Sequence, residues 1–164
     1  MRRLVLITGI ALLAFAVLAA GATAAKKPKK APPVAFVASY AGNAVTQQSN
    51  TTVAITANGT GTATLIGAGK ITGVGTGDTS QQPCVPFTGT GSMSGAGGTV
   101  TFKVVPGSQG CGDQAGENFT VSGHATVLKA TGKLAGRKGT LKLTGTYDRT
   151  SGAFTVKLRG SLTK

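Results

Sequence analysis

The two cysteines, Cys84 and Cys111, are the residues whose chemistry the sequence defines best. They lie too far apart for a Cys-x-x-Cys redox motif, and two cysteines with a single histidine are too few for a zinc site. Cys84 precedes an alternating run at Phe87–Met93, and Cys111 follows the return run at Thr99–Val105. A hairpin that turns near residues 95–98 would bring both cysteines to its open end. We therefore predict a Cys84–Cys111 disulfide, which requires an oxidising compartment.

Groups that could catalyse proton transfer are few. The alternation around His124, the one histidine, places it on the outer face of its strand, and the inverted alternation would turn it inward as a general acid or base. Asp113 and Glu117 lie in the loop after the predicted hairpin, near the disulfide. The sequence contains no nucleophile elbow, phosphate-binding loop, dinucleotide fingerprint or metal-ligand spacing. We predict no cofactor and no metal site, and the enzymatic role stays open.

The first 24 residues have the pattern of an export signal. A pair of arginines opens it, Leu4–Ala20 is apolar, and residues 22–24 (Ala-Thr-Ala) form the small-x-small pattern that signal peptidases read. We predict cleavage after Ala24, and a protein that is secreted or held in the cell envelope without membrane insertion after cleavage. The alternative is an uncleaved signal that anchors the chain, because the apolar run is about long enough to span a bilayer. Residues 25–33 form a basic, proline-rich linker.

Composition and alternation predict one all-β domain over residues 34–164. Glycine and threonine make up about a third of the chain after residue 24, and both disfavour helix interiors. Short alternating runs between glycine-rich turns are typical of antiparallel sheet with one buried face. Eight such runs favour an antiparallel β-barrel of about eight strands, with a β-sandwich as the alternative. The runs are Val34–Tyr40, Val53–Ala57, Gly61–Ile66, Phe87–Met93, Thr99–Val105, Phe119–Leu128, Thr140–Tyr147 and Phe154–Leu162.

The C-terminal hairpin carries a basic face. Residues 148–152, with aspartate first and glycine last, predict a tight turn between the last two runs. Alternation points Lys142, Lys157 and Arg159 away from the apolar side, and a simple register sets Lys142 opposite Arg159. Like charges directly opposed are mildly destabilising, so a polyanion on this face would relieve them. An anionic cell-wall polymer is therefore a candidate partner.

Residues 130–141 resemble a segment of a known barrel family. The stretch Ala-Thr-Gly-Lys-Leu-Ala-Gly-Arg-Lys-Gly-Thr-Leu is similar to the Gly-Thr-Gly-Lys-Phe-x-x-Ala-Arg-Gly segment of dirigent and allene oxide cyclase barrels, and to the same segment of small secreted bacterial proteins of unknown role. The resemblance implies an eight-stranded antiparallel barrel with an apolar interior. Leu134 stands where an aromatic residue is usual, Arg137 and Lys138 are shifted, and no position matches the catalytic acids of those families. The resemblance thus extends to the fold and not to the chemistry.

These observations favour an exported binding or structural protein. It would hold an apolar small molecule in the barrel interior or an envelope polyanion on the basic C-terminal face. The alternative is a cyclase- or isomerase-like enzyme that uses the interior, and a third possibility is a filled barrel with no cavity. Specific nucleic-acid recognition is not predicted, because Tyr147 and Phe154 face inward and leave no stacking platform. The sequence does not predict the oligomeric state.

Overall fold

A computed structural model describes residues 31–164, so the predicted signal and most of the linker lie outside the described residues. Apart from two short 3₁₀ turns at Thr79–Gln81 and Gly132–Leu134, all regular structure in this range is β. None of the helical turns in residues 31–164 has the length and hydropathy needed to cross a membrane. The strands are β1 (Val34–Ser49), β2 (Thr52–Ala63), β3 (Gly67–Asp78), β4 (Cys84–Gly95), β5 (Gly98–Val104), β6 (Gln109–Gly112), β7 (Asn118–Ala130), β8 (Thr140–Asp148) and β9 (Ala153–Leu162).

Eight of the strands close into an antiparallel barrel, which confirms the predicted fold class and excludes the sandwich. Strands β1 to β5 pair in sequence, β5 pairs with β7, and the order continues through β8 and β9 back to β1. The short β6 is the ninth strand. It pairs with both β4 and β7, and so continues the position of β5 between them. Closure leaves the eight barrel strands without a free edge.

A bulge at residues 105–108 separates β5 from β6 and is filled by Ser108. The Ser108 hydroxyl donates to the carbonyl oxygen of Val105 at 2.9 Å and accepts from the backbone N–H of His124 at 3.2 Å. Its carbonyl oxygen accepts from the N–H of Phe87 at 3.0 Å. Ser108 is fully buried, and these bonds satisfy backbone groups that the bulge removes from the ladder. A side chain at Gly123 would collide with Ser108, so this position is restricted to glycine.

The predicted strands are correct in the second half of the chain and partly wrong in the first. Val53–Ala57 and Gly61–Ile66 are not two strands, because β2 runs continuously through Gly59 and ends at Ala63. None of the predicted runs corresponds to β3. Cys84 and Cys111 lie in strands β4 and β6 rather than in loops.

Glycine at inward positions explains why these strands are hard to see in the sequence. Three of the inward aromatic rings lie over glycines of other strands, where a Cβ atom would come within 3.0 Å of the ring. The Tyr40 ring covers Gly61, its cross-strand partner on β2. An inward position that would otherwise carry an apolar side chain is therefore a glycine. The Tyr40 hydroxyl is buried without a hydrogen-bond partner in the described residues, and burial raises its pKa. The other two pairs are Phe102 over Gly91 and Phe154 over Gly59.

One end of the barrel, termed the closed end, is filled by packed side chains. Strands β1, β3, β5 and β8 begin there, and the connection between β7 and β8 folds across it. Leu134 from the 3₁₀ turn of this connection is 1% exposed. Gly132 has a φ of +61° and packs against the backbone of Gly97 and Gly98, a contact that leaves no room for a Cβ. Other fully buried side chains here are Phe36, Ile66, Met93, Val100 and Leu162.

Arg137 links the residues just before β1 to the end of β9 at the closed end. Its guanidinium donates to the carbonyl oxygens of Pro32 and Leu162 at 3.0 and 3.2 Å. Residues 130–141, the segment that resembles the dirigent-like barrels, therefore contain both of these closing contacts. We term the buried Leu134 side chain the plug and the Arg137 hydrogen bonds the clasp. The role of this segment in the described structure is to close the barrel.

Candidate functional site

The opposite end of the barrel, termed the mouth, contains a cavity of about 430 Å³. Its wall is apolar and receives inward side chains from all eight barrel strands. This volume lies within the range of small-molecule sites, which is about 300–1,000 Å³. The apolar lining includes Ile55, Ile71, Phe87, Phe102, Val104, Val121, Leu143, Phe154 and Val156. The barrel is thus neither wholly open nor wholly filled, because the packed core ends partway along its axis.

The cavity exists because glycines occupy inward positions on β3 and β4. Gly73 and Gly75 on β3 and Gly89 on β4 all line it, and none of them contributes a side chain to fill it. A Cβ atom at Gly73 would meet a single heavy atom within 4 Å, the carbonyl oxygen of Thr90 at 3.6 Å. The space in front of Gly73 is therefore empty. The same glycines that hide β3 in the sequence create the candidate site.

Polar side chains form the rim of the cavity. The Tyr147 hydroxyl lies 3.4 Å from the Thr46 hydroxyl, across the gap between β8 and β1. Gln48, Gln82 and Arg149 also contribute to the lining. An apolar wall with a few polar groups at its entrance is the usual arrangement of a site for a small amphipathic or apolar molecule.

The three residues considered for acid–base chemistry lie outside the cavity lining. His124 is exposed on the outer face of β7, opposite Lys142 of β8, as the alternation predicts. Both carboxylate oxygens of Asp113 accept hydrogen bonds within the β6–β7 loop, from the backbone N–H of Glu117 at 3.0 Å and from the amide of Asn118 at 2.9 Å. These bonds, the Asn118 bond first, lower the pKa of Asp113. The geometry assigns Asp113 a loop-ordering role, and Glu117 is exposed in the same loop.

The other two acids also lie at the mouth and organise turns. The Asp78 carboxylate accepts from the hydroxyl and the N–H of Ser80, and these bonds lower its pKa. The Asp148 carboxylate accepts from the N–H groups of Ser151 and Thr150, which lowers its pKa. The turn closes on Gly152 at a φ of +74°, as the sequence predicts. All four acids of the chain are therefore gathered at one end of the barrel.

The structure brings the basic residues of the C-terminal hairpin onto one outer face. Lys142 lies directly opposite Arg159, which is the predicted register. Lys157 is two residues away on the same strand, opposite Thr144, and all three side chains are exposed. With His124 opposite Lys142, the row crosses strands β7, β8 and β9. Asp113 and Glu117 are not part of this face.

Cys84 and Cys111 are directly opposite each other in the β4–β6 ladder and form the predicted disulfide. Their neighbours Val85 and Gly110 line the cavity. The disulfide therefore fastens β6, the shortest strand, to the wall of the mouth.

The sequence predicts that Tyr147 and Phe154, which line the cavity, face inward, but it does not single out the glycines that leave the space or Arg149. In the sequence Arg149 is only part of a turn, and Gly73, Gly75 and Gly89 are only sources of backbone freedom. A usable signal is present, since the glycines of β3 recur at alternate positions and mark an inward row without side chains. In residues 31–164 no group of three or more His, Cys, Asp or Glu side chains is placed to hold a metal ion.

The resemblance of residues 130–141 to dirigent-like barrels stays a prediction. Comparison of the chain with protein-family models, with curated proteins and with solved structures finds no match in any of the three.

Proposed function

We propose that this protein is an exported barrel that binds an apolar small molecule in the mouth cavity. The observation that carries the proposal is the cavity of about 430 Å³, whose wall contains inward glycines and which lies next to a tightly packed closed end. Burial of apolar ligand surface contributes about 25 cal/mol of binding free energy per Å². A ligand that packs against the apolar wall can therefore bind without forming a covalent bond. The disulfide is consistent with an oxidising extracellular environment and supports export.

The lining of the cavity supports an enzymatic role less well than it supports binding. A cyclase- or isomerase-like reaction needs a proton carrier within hydrogen-bond reach of the bound substrate. His124, Asp113 and Glu117 lie outside the cavity lining, and Tyr147 and Arg149 are the titratable side chains that line it in the described residues. The arrangement favours binding over proton transfer.

Filling the cavity from Gly73 should weaken the binding of an apolar probe. The neutral fluorophore N-phenyl-1-naphthylamine serves as the probe, because it is apolar and brightens when it leaves water. In Gly73→Phe the phenyl ring would occupy the space in front of β3, and we expect affinity for the probe to fall by about tenfold or more, a loss of about 1.4 kcal/mol. Fluorescence titration measures both affinities.

The matched control is Thr60→Phe, which adds the same ring to the outer face of β2, opposite Lys70. It should bind the probe as the unmodified protein does. If Gly73→Phe and Thr60→Phe bind equally well, or if the unmodified protein does not bind the probe, the proposed function is wrong.

A second candidate function uses the basic face, and the opposed pair Lys142 and Arg159 favours it. Inorganic polyphosphate is a suitable probe of an envelope polyanion. The double variant Lys142→Gln/Arg159→Gln should be more stable by about 0.2–1 kcal/mol without ligand. It should also bind polyphosphate more weakly. The slope of log K against log salt concentration should become shallower by about one for each phosphate that the variant no longer neutralises.

The control for this pair is Lys70→Gln/Lys133→Gln, which removes the same net charge elsewhere on the barrel. Equal weakening in both double variants would show attraction by net charge alone and would exclude a site on the hairpin. Binding of an apolar ligand in the cavity should be insensitive to salt, so the two functions are separable in one titration series.

A further inference from the structure

Arg149 is the charged side chain among the described residues that line the mouth cavity. It directly follows β8, and its backbone N–H donates to the carbonyl oxygen of Glu117 at 2.8 Å. The preceding residue, Asp148, accepts hydrogen bonds from Thr150 and Ser151. The main chain that carries Arg149 is thus fixed on both sides, and this ordered turn places Arg149 in the lining of the cavity.

The acids around the mouth do not neutralise Arg149. The carboxylates of Asp78, Asp113 and Asp148 are each hydrogen-bonded to their own loop, and the causes of their lowered pKa values are hydrogen bonds, with no cation among them. None of the four acidic side chains lines the cavity. Arg149 is therefore a cation at the entrance of an apolar cavity that no carboxylate of the protein lines. It is available to an anionic group of a ligand.

We propose that the cavity selects apolar molecules that end in a carboxylate, with the head group on Arg149. A planar guanidinium offers two parallel N–H donors that match the two carboxylate oxygens. Tyr147, Gln82 and Thr46 supply further polar groups at the same rim, while the hydrocarbon part would lie among the valine, isoleucine and phenylalanine side chains below. The inference rests on the proposed function, since it names the ligand class of the same cavity.

None of the acids at the mouth lines the cavity, whereas Arg149 does. A contact between Arg149 and a carboxylate is made at hydrogen-bond distance, where the attraction is largest. The contact between Arg149 and the ligand carboxylate therefore determines which head group is preferred. A cationic head group would be repelled by the guanidinium.

Competition with matched ligands tests the inference. Dodecanoic acid and dodecan-1-ol share the hydrocarbon chain and differ in the head group, and each is titrated against bound N-phenyl-1-naphthylamine at neutral pH. We expect the acid to bind about five- to tenfold more tightly than the alcohol, as a charge-assisted hydrogen bond allows. In Arg149→Gln the two ligands should bind equally, and Arg149→Lys should retain part of the preference.

The control is Lys157→Gln, which removes one positive charge from the outer face and should leave the acid-to-alcohol ratio unchanged. Equal binding of acid and alcohol to the unmodified protein, or an unchanged ratio in Arg149→Gln, overturns the inference while the neutral probe still supports the cavity function. Tighter binding of dodecylammonium than of the acid overturns it in favour of the mouth acids. Failure of all three ligands and of the neutral probe overturns both proposals.

Discussion

Replacing both cysteines, in Cys84→Ser/Cys111→Ser, is expected to lower the free energy of unfolding by about 3 to 4 kcal/mol. The bond closes a chain segment with a sequence separation of 27 that contains most of β4, all of β5 and the start of β6. In the chain-entropy description a loop of this length destabilises the unfolded state by about that amount. The fold itself should persist, because β4 and β6 also share a backbone ladder. Thermal and denaturant unfolding, followed by circular dichroism, measure the loss.

Reduction provides the control for this prediction. The unmodified protein treated with a reductant should unfold at the same denaturant concentration as the double variant, whereas the variant should not respond. An unchanged midpoint in the variant would show that the Cys84–Cys111 bond contributes nothing to stability. Because Val85 and Gly110 line the cavity, the variant should also bind N-phenyl-1-naphthylamine less tightly.

Leu134→Ala is expected to lower the free energy of unfolding by about 2 to 5 kcal/mol. The side chain is 1% exposed, and it comes from a 3₁₀ turn that lies across the barrel. The turn is held by backbone bonds to the β4–β5 connection, including Lys133 N–H to the carbonyl oxygen of Gly97 at 2.9 Å. The plug therefore cannot move inward to fill the space that a truncated side chain would leave. Denaturant unfolding measures the loss.

Leu128→Ala is the matched control. Leu128 lies near the end of β7, close to the same connection, but its side chain is 51% exposed. Its truncation should change stability by no more than about 0.5 kcal/mol. Similar costs for the two variants would contradict the role of Leu134 as the plug of the barrel.

The two ends of the barrel differ in packing and in charge. The closed end contains the plug, the Arg137 clasp and five cations near the last connection and the C-terminus, Lys129, Lys133, Arg137, Lys138 and Lys164. The mouth contains the cavity, the disulfide and all four acids. Binding sites built on loops at one end of a rigid barrel can vary without loss of the core, because the packing that stabilises the fold lies at the other end.

The sequence by itself determined the parts of the fold that depend on local pattern. The alternation of Thr140–Tyr147 and Phe154–Leu162, with Asp148 and Gly152 at the turn, predicts the last hairpin and the opposition of Lys142 and Arg159. The two alternating runs between the cysteines predict the disulfide. In each of these cases the signal lies in neighbouring residues, whose side chains must alternate across a sheet.

The tertiary structure alone decided where the barrel is filled and where it is empty. An inward glycine gives no hydrophobic signal, so β3 was not predicted, and the meaning of Gly73 depends on what the strands across the barrel contribute. Arg149 lines the cavity only because barrel closure places it at the mouth, and Leu134 fills the closed end only because its connection folds over that end. Cavities and plugs depend on the combined volume of side chains from eight strands, and no single segment of the chain contains that quantity.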